Sequence, residues 1–136
     1  RPVIQKDMEK AIWMKYVCNV SENQVAAVLG IPFGAWGASE HANTLRVMVA
    51  KEVIDIARKK GIDIDEDYAV KHLDHLKKVP FDNKPSTLQD IEHGRKTEVE
   101  MFGGTMIRLG KDVGVATPLN EFLYHAIRVL EERYGR

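Results

Sequence analysis

The sequence predicts an all-α domain, and three observations carry that prediction. Apolar residues recur at three- and four-residue steps along most of the chain. Glycine and proline cluster at a few breaks between those periodic stretches. Strand-like alternation is confined to one short ambiguous run, "IDID" at 62–65. A length of 136 residues suits one domain with a real hydrophobic core, here about six helices with no internal repeat.

The first helix is expected from about Gln5 to Leu29, with "GIPFGAWG" (30–37) breaking it. A second follows from about Ser39, a plausible N-cap. Leu45, Met48, Val49, Val53, Ile56 and Ala57 mark its apolar face, and "KKG" at 59–61 marks its end. A third, roughly Asp65 to Lys78, must stop before Pro80. After the polar linker "FDNKP" (81–85), "STLQ" reads as a capping box, with Ser86 as cap and Gln89 three residues later. That short helix should finish near Gly94. The next starts around Thr97, shows Val99, Phe102, Met106 and Leu109 on one face, and ends at Gly110 or at "VG" (113–114). The last begins after Pro118 and carries Phe122, Leu123, Ala126, Val129 and Leu130.

Charge is balanced, 20 basic against 20 acidic residues, so no global field points to nucleic acid or an anionic membrane as partner. A single cysteine excludes an internal disulfide and fits a reducing, cytoplasmic setting. No apolar run reaches the ~18–20 residues that span a bilayer, and no signal peptide is visible. Arg1 in place of an initiator methionine reads as a piece cut from a longer protein, although processing would also explain it.

The stretch "AIWMKYVCNV" (11–20) places Lys15 and Asn19 inside an otherwise apolar helix, and Asn23 follows four residues later. Each residue advances about 100° around a helix, so steps of four drift by roughly 40° and these three side chains form one slowly turning polar stripe. Trp13, Met14, Tyr16, Val17, Cys18 and Val20 surround it, so Lys15 is expected in apolar surroundings. Such surroundings disfavour the charged form and suit a lysine that must give up a proton. Asparagines one and two turns along can donate to and accept from a small polar ligand. The competing reading has Lys15 snorkelling to solvent and the asparagines capping nearby backbone groups.

Three blocks carry a resemblance that favours the first reading: "KYVCNVSENQ" (15–24), "NKPSTLQDIEHGRKTEVEMFGG" (83–104) and "LGKDVGVATPLNEFLY" (109–124). Together they make the chain resemble the C-terminal domain of the ketopantoate reductase (2-dehydropantoate 2-reductase) family over essentially its whole length. The middle block, a serine followed by L-Q-D, a basic residue, T-E and a glycine pair, is the most specific. The resemblance implies the helical fold of 6-phosphogluconate dehydrogenase C-terminal domains. It also implies a cytoplasmic, NADPH-dependent reduction of ketopantoate to pantoate, in pantothenate and coenzyme A biosynthesis.

By that resemblance Lys15 is the general acid. Asn19, Asn23, Asn83 and Ser86 hold the substrate, and Glu98 lies near the cofactor and the lysine. NADPH is expected mainly on an N-terminal Rossmann domain, the chain's own partner domain. No G-x-G-x-x-G occurs in residues 1–136, since "FGAWG" and "MFGGTM" lack its spacing and context. The isolated piece should therefore be inactive. There are departures from the family pattern: Phe33 stands where some members carry a further asparagine, Pro85-Ser86-Thr87 replaces Ser-Ser-Met, and Glu22 adjoins the stripe. They leave open a different branched 2-keto acid as substrate, and the helical module could also serve as a non-catalytic homodimerisation unit.

Other signals are read as structural. "HLDH" spaces His72 and His75 as in some metal sites, but a solvated helix face explains it better and no metal is expected. Cys18 reads as an inert core thiol, Trp13 and Trp36 as core or interface aromatics.

Overall fold

The computed structural model describes residues 3–135. It contains seven α-helices and one π-helical turn: α1 (Val3–Leu29), α2 (Ala35–Ala38), α3 (Glu40–Lys59), α4 (Tyr68–Leu76), α5 (Ser86–Glu92), the π turn (Glu100–Gly104), α6 (Thr105–Val113) and α7 (Pro118–Glu132). No strand occurs among the described residues, and "IDID" is an irregular segment that buries Ile62 and Ile64. No described helix is long and apolar enough to cross a membrane.

α1 is the spine, packing on α3, α5, α7 and the π turn. Its Val17 and Val20 join Val53, Ile54 and Ile56 of α3 and Met106 of α6 in one core cluster. Further along, Val25 and Ala26 meet Trp36, Val49, Leu76 and Leu123 in a second. Trp36 is thus a core aromatic, at 1% exposure. Each such aliphatic side chain taken out of water contributes about 1.5–3 kcal/mol. Not every periodic position is inside: Leu45, Met48, Phe122 and Val129 remain exposed, and Ile127, outside the expected face of α7, is fully buried.

Several ends follow local chemistry. Ser39 Oγ accepts from Ala42 N–H at 3.1 Å, the expected cap of α3. Pro118 occupies the first turn of α7, and Gly114 closes α6 at φ 77°, a conformation that side chains with a Cβ resist. Elsewhere the expectations need correcting. "GIPFGAWG" contains the short α2 rather than a plain break. The third helix begins at Tyr68, not Asp65, after a turn closed by Tyr68 N–H donating to Asp65 O. The helix expected from Thr97 starts instead as the π turn at Glu100.

The capping box at Ser86 does not form. Pro85 holds the cap position, and Ser86 is the first residue of α5, with its hydroxyl donating to Asn23 Oδ1 at 3.0 Å. Asn23 Oδ1 also accepts from Thr87 N–H at 3.1 Å, so α1 supplies the cap of α5. The start of α7 is built likewise. Glu52 of α3 accepts from the Leu119 and Asn120 N–H groups, both at 3.0 Å, and from Asn120 Nδ2 at 2.8 Å.

Candidate functional site

A cleft of about 460 Å³ opens between α1, the first residue of α5 and the π turn. Its polar lining is Lys15, Asn19, Asn23, Ser86 and Glu98, five of the six residues the sequence singled out. A single uninterrupted helix explains the first three, because four-residue steps keep them on one side of α1. Burial rises along the stripe: Lys15 is exposed, Asn19 half-buried and Asn23 only 8% exposed. Lys15 is therefore not buried within this chain as expected, although Ile12, Tyr16, Met101 and Phe102 line the same cleft. Nearly all of residues 3–12 are exposed, and burial in α1 becomes continuous only from Val20.

Asn23 anchors the site's geometry. Its Nδ2 donates to Asn19 O at 2.9 Å while Oδ1 takes the Ser86 hydroxyl and the Thr87 N–H. The serine is thereby fixed to the lysine-bearing helix across 63 positions of sequence. Asn83 does not line the cleft. It is exposed, its N–H donates to Pro80 O at 3.1 Å, and its carbonyl accepts from Phe33 N–H at 2.7 Å, so it shapes the loop before α5.

Glu98 is exposed on the far wall, where its carbonyl receives the Met101 and Phe102 N–H groups (2.9 and 3.1 Å) and starts the π turn. Thr97 beside it is tied to α7, since Glu131 Oε2 accepts from both its N–H and its hydroxyl at 2.9 Å. Burial raises the Glu131 carboxyl, but the two Thr97 donors and the Arg128 guanidinium outweigh it and hold the group below its ordinary value. Arg128 and the Tyr124 hydroxyl also clasp Glu100. The glycine pair allows this wall to close in, because a Cβ on Gly103 would collide with Gln24 Oε1 and press on Tyr124 Cβ at 3.1 Å.

Four cleft residues escaped the sequence reading: Ile12, Tyr16, Met101 and Phe102. Ile12 and Tyr16 were findable, lying one turn before the stripe and beside Lys15. Met101 was not, because the π turn resets the register that a regular helix from Thr97 would have given. A separate cavity of about 370 Å³ between Phe33 and Phe81 offers one charged side chain, Lys77, and no acid–base pair.

A lysine and a carboxylate facing one small cleft, with amide and hydroxyl groups between them, can bind an oxygen-rich anion and deliver a proton. The cleft's volume of about 460 Å³ falls in the range of small-molecule sites. A dinucleotide platform is not found among the described residues: no glycine-rich turn links a strand to a helix, and "MFGGTM" forms the π turn.

The adjacent face of α1 differs from its expected picture. Cys18 and Glu22 project toward His72 of α4, and Tyr68 and His75 flank them. The two histidines stack at 5.1 Å between ring centroids. Burial pushes the Glu22 carboxyl up to about 7 against the pull of Arg46, and pushes the Cys18 thiol up to about 11. Burial lowers His72.

Residues 7–131 match the family model described as "Ketopantoate reductase PanE/ApbA C terminal". A 2-dehydropantoate 2-reductase of Pyrobaculum aerophilum is 31% identical over 126 residues, covering 93% of this chain and 45% of that protein. The crystal structure of 2-dehydropantoate 2-reductase from Methylococcus capsulatus superposes with TM-score 0.79 at 27% identity, covering 93% of this chain and 44% of the other. D-mandelate dehydrogenase in a ternary structure with NADH and anilino(oxo)acetate gives TM-score 0.82 at 25% identity, covering 90% and 52%. The chain spans less than half the length of the curated relatives it matches. With a match over residues 7–131, on a helical fold shared with solved reductases, the chain belongs to the ketopantoate reductase PanE/ApbA C-terminal family.

Proposed function

We propose that this chain is the substrate-binding and proton-donating domain of an NADPH-dependent 2-dehydropantoate 2-reductase. In that reading it works with a separate Rossmann domain of the same protein. The observation that carries the proposal is the convergence of Lys15, Asn19, Asn23, Ser86 and Glu98 on one cleft.

The bound nicotinamide would supply a hydride to the ketone carbon. As the carbonyl oxygen gains negative charge, the Lys15 ammonium stabilises it and transfers a proton, so hydride plus proton convert ketone to alcohol. Asn19 and Asn23 orient the substrate's hydroxyl and keto-acid oxygens. Ser86, held by Asn23, presents its oxygen to the same molecule. Glu98 provides the carboxylate opposite Lys15, at the rim where the nicotinamide end would abut. Asn83 enters through the loop it shapes, ahead of Ser86. Lys15 is exposed here, and docking of the nucleotide-binding domain over the cleft would exclude the water that otherwise screens its charge.

The test is kinetic, in the reductase that contains this chain. Lys15→Ala should lower kcat far more than it raises KM, because its partner charge forms chiefly in the transition state. An unchanged kcat would remove Lys15 from the acid role.

A second reading keeps the acid and changes the substrate. The likeness to D-mandelate dehydrogenase supports it, as that protein is held with NADH and anilino(oxo)acetate, whose anilino group is a ring. The exposed Met101 and Ile12 give this cleft an apolar lip for such a group. A panel of 2-keto acids decides: highest kcat/KM with ketopantoate supports the first reading, and with an aryl or other branched acid the second.

A further inference from the structure

Next to the substrate cleft, α1 and α4 flank a further open cleft of about 480 Å³. Three metal-ligating side chains meet there. The Cys18 sulfur, a Glu22 carboxylate oxygen and a His72 ring nitrogen lie within 4.8 Å of one another. Cys18 and Glu22 are one helical turn apart on α1, so they project side by side, and His72 arrives from α4.

Glu22 singles this cluster out. It is only 6% exposed, and its Oε2 has no hydrogen-bond partner. That oxygen points at His72 Nε2 from 3.7 Å, beyond hydrogen-bonding distance. The nearby Arg46 guanidinium does not satisfy it, being spent on Asn43 Oδ1 (3.0 and 2.7 Å) and Ala69 O (2.9 Å). A buried carboxylate oxygen with no donor is costly, and a bound cation is one way to compensate it.

We propose that Cys18, Glu22 and His72 form a binding site for a zinc-like divalent transition-metal ion. The donor set of one sulfur, one nitrogen and one oxygen suits zinc and excludes calcium or magnesium, which prefer oxygen alone. A tetrahedral ion with bonds of ~2.0–2.3 Å holds its ligand atoms ~3.3–3.8 Å apart, so small side-chain rotations would close the cluster around it. Coordination forms the metal–sulfur bond and releases the thiol proton to solvent. The Tyr68 hydroxyl, 3.6 Å from the sulfur, is placed to donate to the resulting thiolate. The fourth position opens to the cavity, where His75 stands beside His72. Lys15 and Asn19 line both cavities, so the metal would sit behind the wall of the substrate cleft. The site does not depend on the proposed reductase chemistry.

Cobalt(II) alone is the probe, added to metal-free protein. Cys18 is the sole cysteine among residues 1–136, so a thiolate-to-cobalt charge-transfer band in the near ultraviolet that Cys18→Ser abolishes reports on this position. The expected result is a band that saturates at equimolar cobalt, disappears when zinc is added, and is lost in Cys18→Ser. His72→Gln and Glu22→Gln should each weaken cobalt binding by at least about 10-fold. Far-ultraviolet circular dichroism checks that each variant keeps its helices. If Glu22→Gln does not fold, the less buried His72→Gln carries the test alone. Absence of the band at equimolar cobalt overturns the proposal. So does a band of unchanged affinity in His72→Gln, which would mark cobalt bridging thiols of two chains.

Discussion

Two neighbouring faces of α1 handle buried polar groups in opposite ways. Along Lys15, Asn19 and Asn23 burial increases by degrees, and at its deepest point the Asn23 amide is engaged with Asn19, Ser86 and Thr87. Along Cys18 and Glu22, about 100° away around the helix, a carboxylate is equally buried but keeps an oxygen without a donor. The first face is a finished frame: its internal bonds fix the walls and leave the cation at the open end to meet a ligand. The second is an incomplete one, in which the buried group itself lacks a partner. Burial alone does not separate these cases. The accounting of hydrogen bonds does.

The comparison can be broken or sharpened by substitution. The largest effect belongs to Lys15: under the proposed reductase reading, Lys15→Ala in the full-length protein should reduce kcat by about 10²–10⁴-fold. Lys15→Arg should not restore it, since a guanidinium keeps its proton.

Asn23→Ala comes next, because it removes the shared acceptor of Ser86 and leaves the Thr87 N–H buried without one. Chemical denaturation should show a loss of about 1–3 kcal/mol, accompanied by weaker substrate binding. Full stability would mean that the two faces are not framed differently after all.

Glu22→Gln should act through pH. With its folded-state carboxyl raised to about 7 from 4.5, Glu22 holds its proton more tightly in the folded than in the unfolded chain. The resulting stabilisation is fully present below pH 4.5 and is lost as pH rises through about 7. In metal-free protein the unfolding free energy should therefore fall by about 1–3 kcal/mol across that window, and the glutamine variant should show a flatter profile. An identical slope in both would mean that Glu22 is not the titrating group. Asn83→Ala should have the smallest effect, within about 0.5 kcal/mol on stability. Its shift in KM should be smaller than that of Asn19→Ala, measured side by side.

Much of this was legible in the sequence, and the missing part has a common cause. Helical spacing located α1, α3 and α7, and Ser39 and Pro118 marked starts by chemistry acting within one turn. The resemblance brought together Lys15, Asn19, Asn23, Ser86 and Glu98, which do share a cleft. What escaped depends on contacts between distant positions. α5 is capped by Asn23 and α7 by Glu52, so the local box at Ser86 and Gln89 was the wrong pairing. Gln89 Nε2 instead donates to Lys84 O at 2.8 Å. The π turn appears where the glycine pair lets α1 and α7 approach closely, a condition no spacing rule registers. Lys15 was misjudged because apolar neighbours in sequence need not be buried in this chain, and Ile12 on the same side is 56% exposed. His72 looked solvated until α4 was seen to face Cys18 and Glu22.

The central claim is that the Lys15 ammonium meets the reacting oxygen in this cleft. A crystal structure of the full-length protein with NADP⁺ and a bound 2-keto acid tests it most directly. The account predicts Lys15 Nζ within hydrogen-bonding distance of the keto oxygen, with Asn19 and Ser86 on the same molecule. A keto acid seated outside this cleft, or a keto oxygen facing another donor with Lys15 turned to solvent, would contradict it.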